Sequence, residues 1–140
     1  VLLFRGRGLI SATIRWQTRG PYSHAALLYP DGRRIIEAWH TGVRSKVLGD
    51  WAGVEVFDVP EIHDWTTVFA FAEAQLGKRY DFVSVLRFLD RARAKDNQRW
   101  FCSELVYSAL ATQLRVLSRI DAANVSPTHR SWSPFLVKVK

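Results

Sequence analysis

The chain has no methionine and a single cysteine, Cys102, among its 140 residues. One cysteine cannot close an intramolecular disulfide or build a CxxC metal or redox motif, so it is either a small buried side chain or a working thiol. Long apolar runs are missing too. The longest, AALLY over 25–29 and VFAFA over 68–72, are five residues each, far short of the roughly 20 that a membrane-spanning helix needs. Repeats, linkers and low-complexity stretches are absent, and with 48% hydrophobic and 24% charged residues the composition is that of a globular chain rather than a disordered or fibrous one. A length of 140 residues predicts one domain, 1–140, able to bury roughly 70% of the surface its unfolded form exposes. The motifs HExxH, GxxxxGK[ST] and GxSxG do not occur, which argues against a zincin, a phosphate-binding loop and a serine nucleophile elbow.

The net charge of +7 is unevenly spread. Residues 1–20 carry four arginines and no acid, residues 21–77 carry eight acidic against four basic side chains, and residues 78–99 carry seven basic against three acidic. Within that last segment Arg87, Arg91 and Lys95 recur every four residues, which on a helix makes one basic stripe. Such a stripe is a candidate contact for an anionic surface. The aromatic residues are not interleaved with the basic ones as a single-strand platform requires, so no obligate nucleic-acid partner is expected.

Hydrophobic periodicity divides the chain in two. VLLF reads as a short strand, broken by Gly6 and Gly8 before a short helix over LISATIRWQ. YSHAALLY and RRIIEAW flank the turn tripeptide PDG and predict a hairpin. WAGVEVFDVP predicts a further strand ended by Pro60. From there the pattern turns helical: Asp64 caps a helix with Trp65, Val68, Phe69, Ala72 and Leu76 on one face and Gly77 as its stop. A second helix is expected over YDFVSVLRFLDRARAK. A third runs over FCSELVYSALATQLRVL with Leu105, Val106, Ala109, Leu110, Leu114 and Leu117 inward, and FLVKV returns as an edge strand. Strands first and helices later predict an α+β fold with an antiparallel sheet packed against helices.

Cys102 falls at the start of the third helix, where unpartnered backbone N–H groups and the positive end of the helix dipole lower a thiol's pKa and supply donors to a developing oxyanion. The other reading is a small buried hydrophobe beneath Trp100 and Phe101. Glu104, two residues on, would raise the thiol's pKa unless it pointed away. A thiol nucleophile needs a base, and among the four histidines His24 stands at the start of a strand just after the turn-like GPYS. Glu37, on the partner strand of the hairpin, could hold its ring. If the loop encloses two residues, Pro30 and Asp31, or four, Tyr29 to Gly32, Glu37 pairs directly with His24, whereas a three-residue loop of Pro30, Asp31 and Gly32 sets Ala38 there and turns Glu37 away. An even loop is therefore expected, or a compensating bulge before His24. His40 is the substitute for Glu37. In a strand Glu37 and His40 face opposite sides, which argues against a shared metal.

The order of these pieces, YSHAALLY, IIEAW, LGKRYDF, FCSELVYSAL and then VSP before a last strand, resembles the circularly permuted papain-like cysteine hydrolases of the YiiX/YebB-like group. That group stands with the NlpC-type peptidases and, more distantly, the lecithin:retinol acyltransferase group. The resemblance spans nearly the whole chain and is most specific at SH and CSELV. It implies a permuted papain-like fold, Cys102 as nucleophile, His24 as base, Glu37 as the orienting group and no cofactor. Tyr80, with Asp81, matches the group's YD, and Tyr80 and Tyr22 are candidate pocket residues. The implied substrates are amides, esters or thioesters of peptides, cell-wall fragments or lipids. Related chains often carry Gly-Asp ahead of the first strand, so a short segment before Val1 is expected. The alternative is a catalytically silent module of the same fold that binds anionic lipid or nucleic acid through its basic surface.

Overall fold

The computed structural model describes residues 1–6, 8–79, 102–114 and 135–139. Strands β1 (Leu2–Phe4), β2 (His24–Leu28), β3 (Arg34–Trp39), β4 (Gly42–Val47), β5 (Val54–Asp58) and β6 (Val137–Lys138) form one sheet in the order β4-β3-β2-β1-β5-β6, and every neighbouring pair is antiparallel. Helix α1 (Leu9–Thr18) lies between β1 and β2 in the chain, α2 (Trp65–Glu73) follows β5, and α3 (Cys102–Ala111) precedes β6. This is the expected α+β arrangement. The helix expected over 80–95, with Arg87, Arg91 and Lys95, lies outside the described residues, as do Tyr80 and Leu117.

Strand alternation sorts the side chains onto two faces. Leu3, Ala25, Leu27, Ile36, Ala38 and Val43 share one core cluster with Val68, Phe69 and Ala72 of α2 and with Leu105, Val106, Ala109 and Leu110 of α3. Their neighbours in sequence, Leu2, Ala26 and Ile35, form a second cluster with Leu48 on the opposite face. Both faces of the central strands are thus buried, which explains why AALL and RII read as near-continuous apolar runs rather than strict alternations. Helix α2 is capped as expected, with Asp64 accepting the Thr67 N–H at 3.2 Å. It ends at Glu73, so Leu76 falls in the turn beyond it and is 45% exposed rather than inward.

The strand with no expectation attached to it is β4. It pairs with β3 along its full length, Glu37 opposite Arg44 and Trp39 opposite Gly42. Gly42 has a φ of +123°, and a β-carbon there would stand 2.7 Å from the Lys78 carbonyl oxygen. That close approach lets the Val43 N–H donate to Lys78 O and the Gly77 N–H to Val43 O, both at 2.9 Å. The chain leaving α2 thereby covers the start of the β4 edge of the sheet.

The hairpin register differs from the expected one in number and agrees in parity. Tyr29 N–H donates to Arg34 O, so the loop is Pro30–Arg33, an even loop as expected but placed so that His24 and Glu37 are not direct partners. Asp31 accepts the Arg33 and Arg34 N–H groups at 2.8 and 2.9 Å, an Asx-type turn, with Gly32 at φ +67°. Leu27 faces Ile36 and Leu28 faces Ile35. Continued along the strands, this register sets Trp39 opposite His24 and Ala26 opposite Glu37. The loop is even, so Glu37 keeps the face of His24, displaced by one pleat.

Candidate active site

His24 opens β2, and the backbone ahead of it is fixed by Ser23. The Ser23 N–H donates to Phe4 O at 2.9 Å, and Ser23 Oγ accepts the Gly6 N–H at 3.1 Å. Phe4 is also the residue facing His24 across the β1–β2 pair. Two residues therefore oppose one, the arrangement of a β-bulge, and it turns Tyr22 and His24 to opposite faces of the sheet. Tyr22 joins the core cluster on the helix side, where its hydroxyl donates to Glu55 Oε2 at 2.7 Å. The structure places it with Glu55 rather than with His24.

Aromatic walls flank the His24 ring. Phe4 lies at 5.2 Å between ring centroids, and Trp39 presents itself edge-on at 5.1 Å. Nε2 hydrogen-bonds Glu37 Oε2 at 2.7 Å. A direct cross-strand partner is not needed for this, because a diagonal neighbour lies within reach of a long side chain. Glu37 is almost completely buried, at 2% exposure. Its other oxygen, Oε1, accepts from Arg44 Nε at 2.9 Å and Arg44 Nη2 at 2.8 Å, and the Lys46 ammonium stands 3.6 Å away. The Arg44 guanidinium in turn lies over the Trp39 ring, 5.0 Å from its centroid.

Cys102 is the first residue of α3 and is buried. It meets the His24 side chain and the backbone N–H groups of Ala25 and Ser103. With Nε2 engaged by Glu37, Nδ1 is the ring nitrogen left for the thiol. His24 is the first residue of β2 and Cys102 the first of α3, so the two meet where a strand and a helix begin. His40, the substitute for Glu37, is exposed beside Trp39, and Glu37 is the residue that reaches His24.

Charge follows from these contacts. Burial opposes a charged imidazole, but Cys102 and Glu37 more than offset it and raise His24 from 6.5 to about 9. Burial likewise opposes a thiolate, yet the His24 imidazolium and the Ala25 and Ser103 N–H groups hold Cys102 below its ordinary value. Against its own burial, Glu37 is drawn down to about 2 by His24, Arg44 and Lys46. The thiol, the imidazole and the carboxylate thus stand in a row, each favouring the charged form of its neighbour.

Trp39, Arg44 and Lys46 carried no expectation from the sequence. Their signal was the alternation in VRSKV, where Val43, Ser45 and Val47 take one parity and Arg44 and Lys46 the other. That pattern identifies a strand, and pairing it with β3 brings two cations to the face of Glu37.

No protein-family model and no curated protein matches the chain. Among solved structures it is similar to the crystal structure of the metalloprotein YiiX from Escherichia coli O157:H7, with a TM-score of 0.72 and 22% sequence identity over 99% of this chain and 93% of that one. The fold is thus YiiX-like.

Proposed function

We propose that the chain is a cysteine-dependent hydrolase of amide or ester bonds, built on a circularly permuted papain-like arrangement. The observation that carries this reading is the His24 ring held between the Cys102 thiol and the Glu37 carboxylate. In that reading the Cys102 sulfur attacks an acyl carbon, and the carbonyl electrons move onto oxygen. N–H groups at the start of α3 are the donors nearest that charge. As the tetrahedral species collapses, the C–N or C–O bond breaks and His24 Nδ1–H protonates the leaving amine or alkoxide. A water then gives its proton to His24, attacks the thioester and releases the acid, returning the thiol pair to its starting state. Glu37 stays ionised throughout and keeps Nε2 as the nitrogen facing it. Peptides, cell-wall fragments and lipids are the substrate classes that the family resemblance brings to this reading.

The similar YiiX structure is described as a metalloprotein, and the donors of this site do not suit an ion. Both Glu37 oxygens are engaged, one by the imidazole and one by the guanidinium with Lys46 behind it. A cation entering there would have to displace Arg44. Among the described residues no group of three or more His, Cys, Asp or Glu side chains could hold a metal ion. No step of the reaction is assigned to one.

Alkylation of Cys102 by iodoacetamide between pH 5 and 9 tests the reading without a substrate, and the absence of any other cysteine makes the signal unambiguous. The expected midpoint lies below the ordinary cysteine value of about 8.5. A panel of acyl-amide and acyl-ester reporters should then show turnover that Cys102→Ala abolishes. A midpoint at or above the ordinary value, or turnover surviving in Cys102→Ala, removes the proposed mechanism.

A further inference from the structure

The Glu37 carboxylate is shared between two partners that do different things. Oε2 faces the His24 ring and Oε1 faces Arg44, so each oxygen has one direction to keep. A carboxylate held only by the imidazole could swing about its side-chain torsions. One gripped on its second oxygen by both Nε and Nη2 of a planar guanidinium cannot swing without breaking two charge-assisted hydrogen bonds. The grip is itself anchored: Arg44 stands opposite Glu37 in the β3–β4 register, and its guanidinium rests on Trp39, whose ring edge meets His24.

We infer that Arg44 is a positioning residue of the active site, which acts through Glu37 to hold the His24 ring against the Cys102 thiol. Its fork geometry, rather than its charge alone, does the holding. This rests on the hydrolase reading. Among the described residues, the charged or titratable groups meeting Glu37 are His24 from β2 and Arg44 and Lys46 from β4, and His24 in turn meets Cys102 from α3. Lys46, at 3.6 Å and 43% exposed, adds positive charge without a directed hydrogen bond. Charge and direction are thereby divided between two side chains, and substitution can separate them.

The test is the iodoacetamide profile of Cys102 in wild type, Arg44→Gln, Arg44→Lys and Lys46→Gln, with circular dichroism to confirm the fold of each. In Arg44→Gln the midpoint should move up by about one pH unit, so that alkylation near pH 6 slows about tenfold. On a reporter, kcat should fall roughly 10- to 100-fold while KM stays within about 2-fold, because the group lost acts on the machinery rather than on the substrate. Arg44→Lys keeps a cation beside the buried carboxylate and so protects the fold if the glutamine variant is unstable. It cannot reproduce the fork and should recover less than half of the shift. Lys46→Gln should move the midpoint less than either. A wild-type midpoint in Arg44→Gln, or full recovery by Arg44→Lys, overturns the positioning role while leaving the hydrolase reading intact. An ordinary midpoint in the wild type itself overturns both.

Discussion

Two carboxylates stand on opposite faces of the same sheet, each ringed by three polar partners. Glu55, on the helix side of β5, accepts from Tyr22 at 2.7 Å and pairs with Arg5 and with Lys138 at 2.7 Å. Glu37, on the other face of β3, has His24, Arg44 and Lys46. The arrangements look alike, but their partners differ in what they can do near neutral pH. Burial and the Glu55 carboxylate push the Tyr22 phenol above its ordinary value, so it remains a donor. Glu55 is therefore a staple joining the segment after β1, the approach to β2, and β6. Replacing one partner class, a phenol by an imidazole, turns the same motif into one that can pass a proton onward. In the proposed mechanism the onward partner is Cys102, and among the described residues Glu55 meets no thiol.

The comparison breaks most sharply under the matched pair Glu37→Gln and Glu55→Gln. Turnover in Glu37→Gln should fall by roughly 10² to 10⁴, less than in Cys102→Ala, because an orienting group holds the base while the nucleophile makes the bond. Glu55→Gln should stay within about 2-fold of wild type, its effect confined to stability. Equal losses in the two variants would mean that the distinction between staple and site is wrong.

Sequence pattern carried the Glu37 side of this comparison and none of the Glu55 side, and its failures have identifiable causes. The strand start at His24, the helix start at Cys102 and the shared face of Glu37 were legible because periodicity and the even-loop rule constrain parity. The loop length was not, since the same PDG tripeptide closes either a short turn or the Asp31 turn that adds Arg33. Strand β4 went unread because GVRSKV has only two valines and a high charge, and its stability comes from pairing on both sides at its start rather than from its own propensity. With it went Arg44 and Lys46. Tyr22 stands two residues from His24, yet the bulge at Ser23 puts the two side chains on opposite faces, which sequence spacing alone does not show.

A second way to sharpen the comparison is acid. Glu37 lies well below its ordinary 4.5, at about 2, so its charged form binds its partners in the folded state. Its contribution to stability is complete above the unfolded value and is lost as pH falls through about 2. Unfolding of wild type and Glu37→Gln by urea, followed from pH 6 down to pH 2, should show a stability gap that is constant above about pH 4.5 and closes below it. Glu55 is lowered as well, by the Lys138 and Tyr22 hydrogen bonds and by Arg5 acting against its own burial, and Glu55→Gln should show a gap of the same sign. A gap that does not change with pH in Glu37→Gln would mean that the carboxylate's cations do not hold it ionised.

The smallest expected effect belongs to Tyr22→Phe, and it separates the two faces most cleanly. The substitution removes one hydroxyl and keeps the ring, including its edge contact with Phe57 at 6.2 Å between centroids. Glu55 loses its one neutral donor but retains Arg5 and Lys138, whose side chains are 51% and 54% exposed and so can follow the carboxylate. Stability should drop by about 1.5 kcal/mol, the low end for a hydrogen bond to a charged group, because the carboxylate keeps its other partners. The Cys102 alkylation midpoint should not move, because the bulge at Ser23 puts the phenol on the far side of the sheet from the His24 ring, and turnover should stay within about 2-fold. A shifted midpoint, or a large loss of turnover without loss of stability, would place Tyr22 in the substrate pocket and make the two carboxylate networks one.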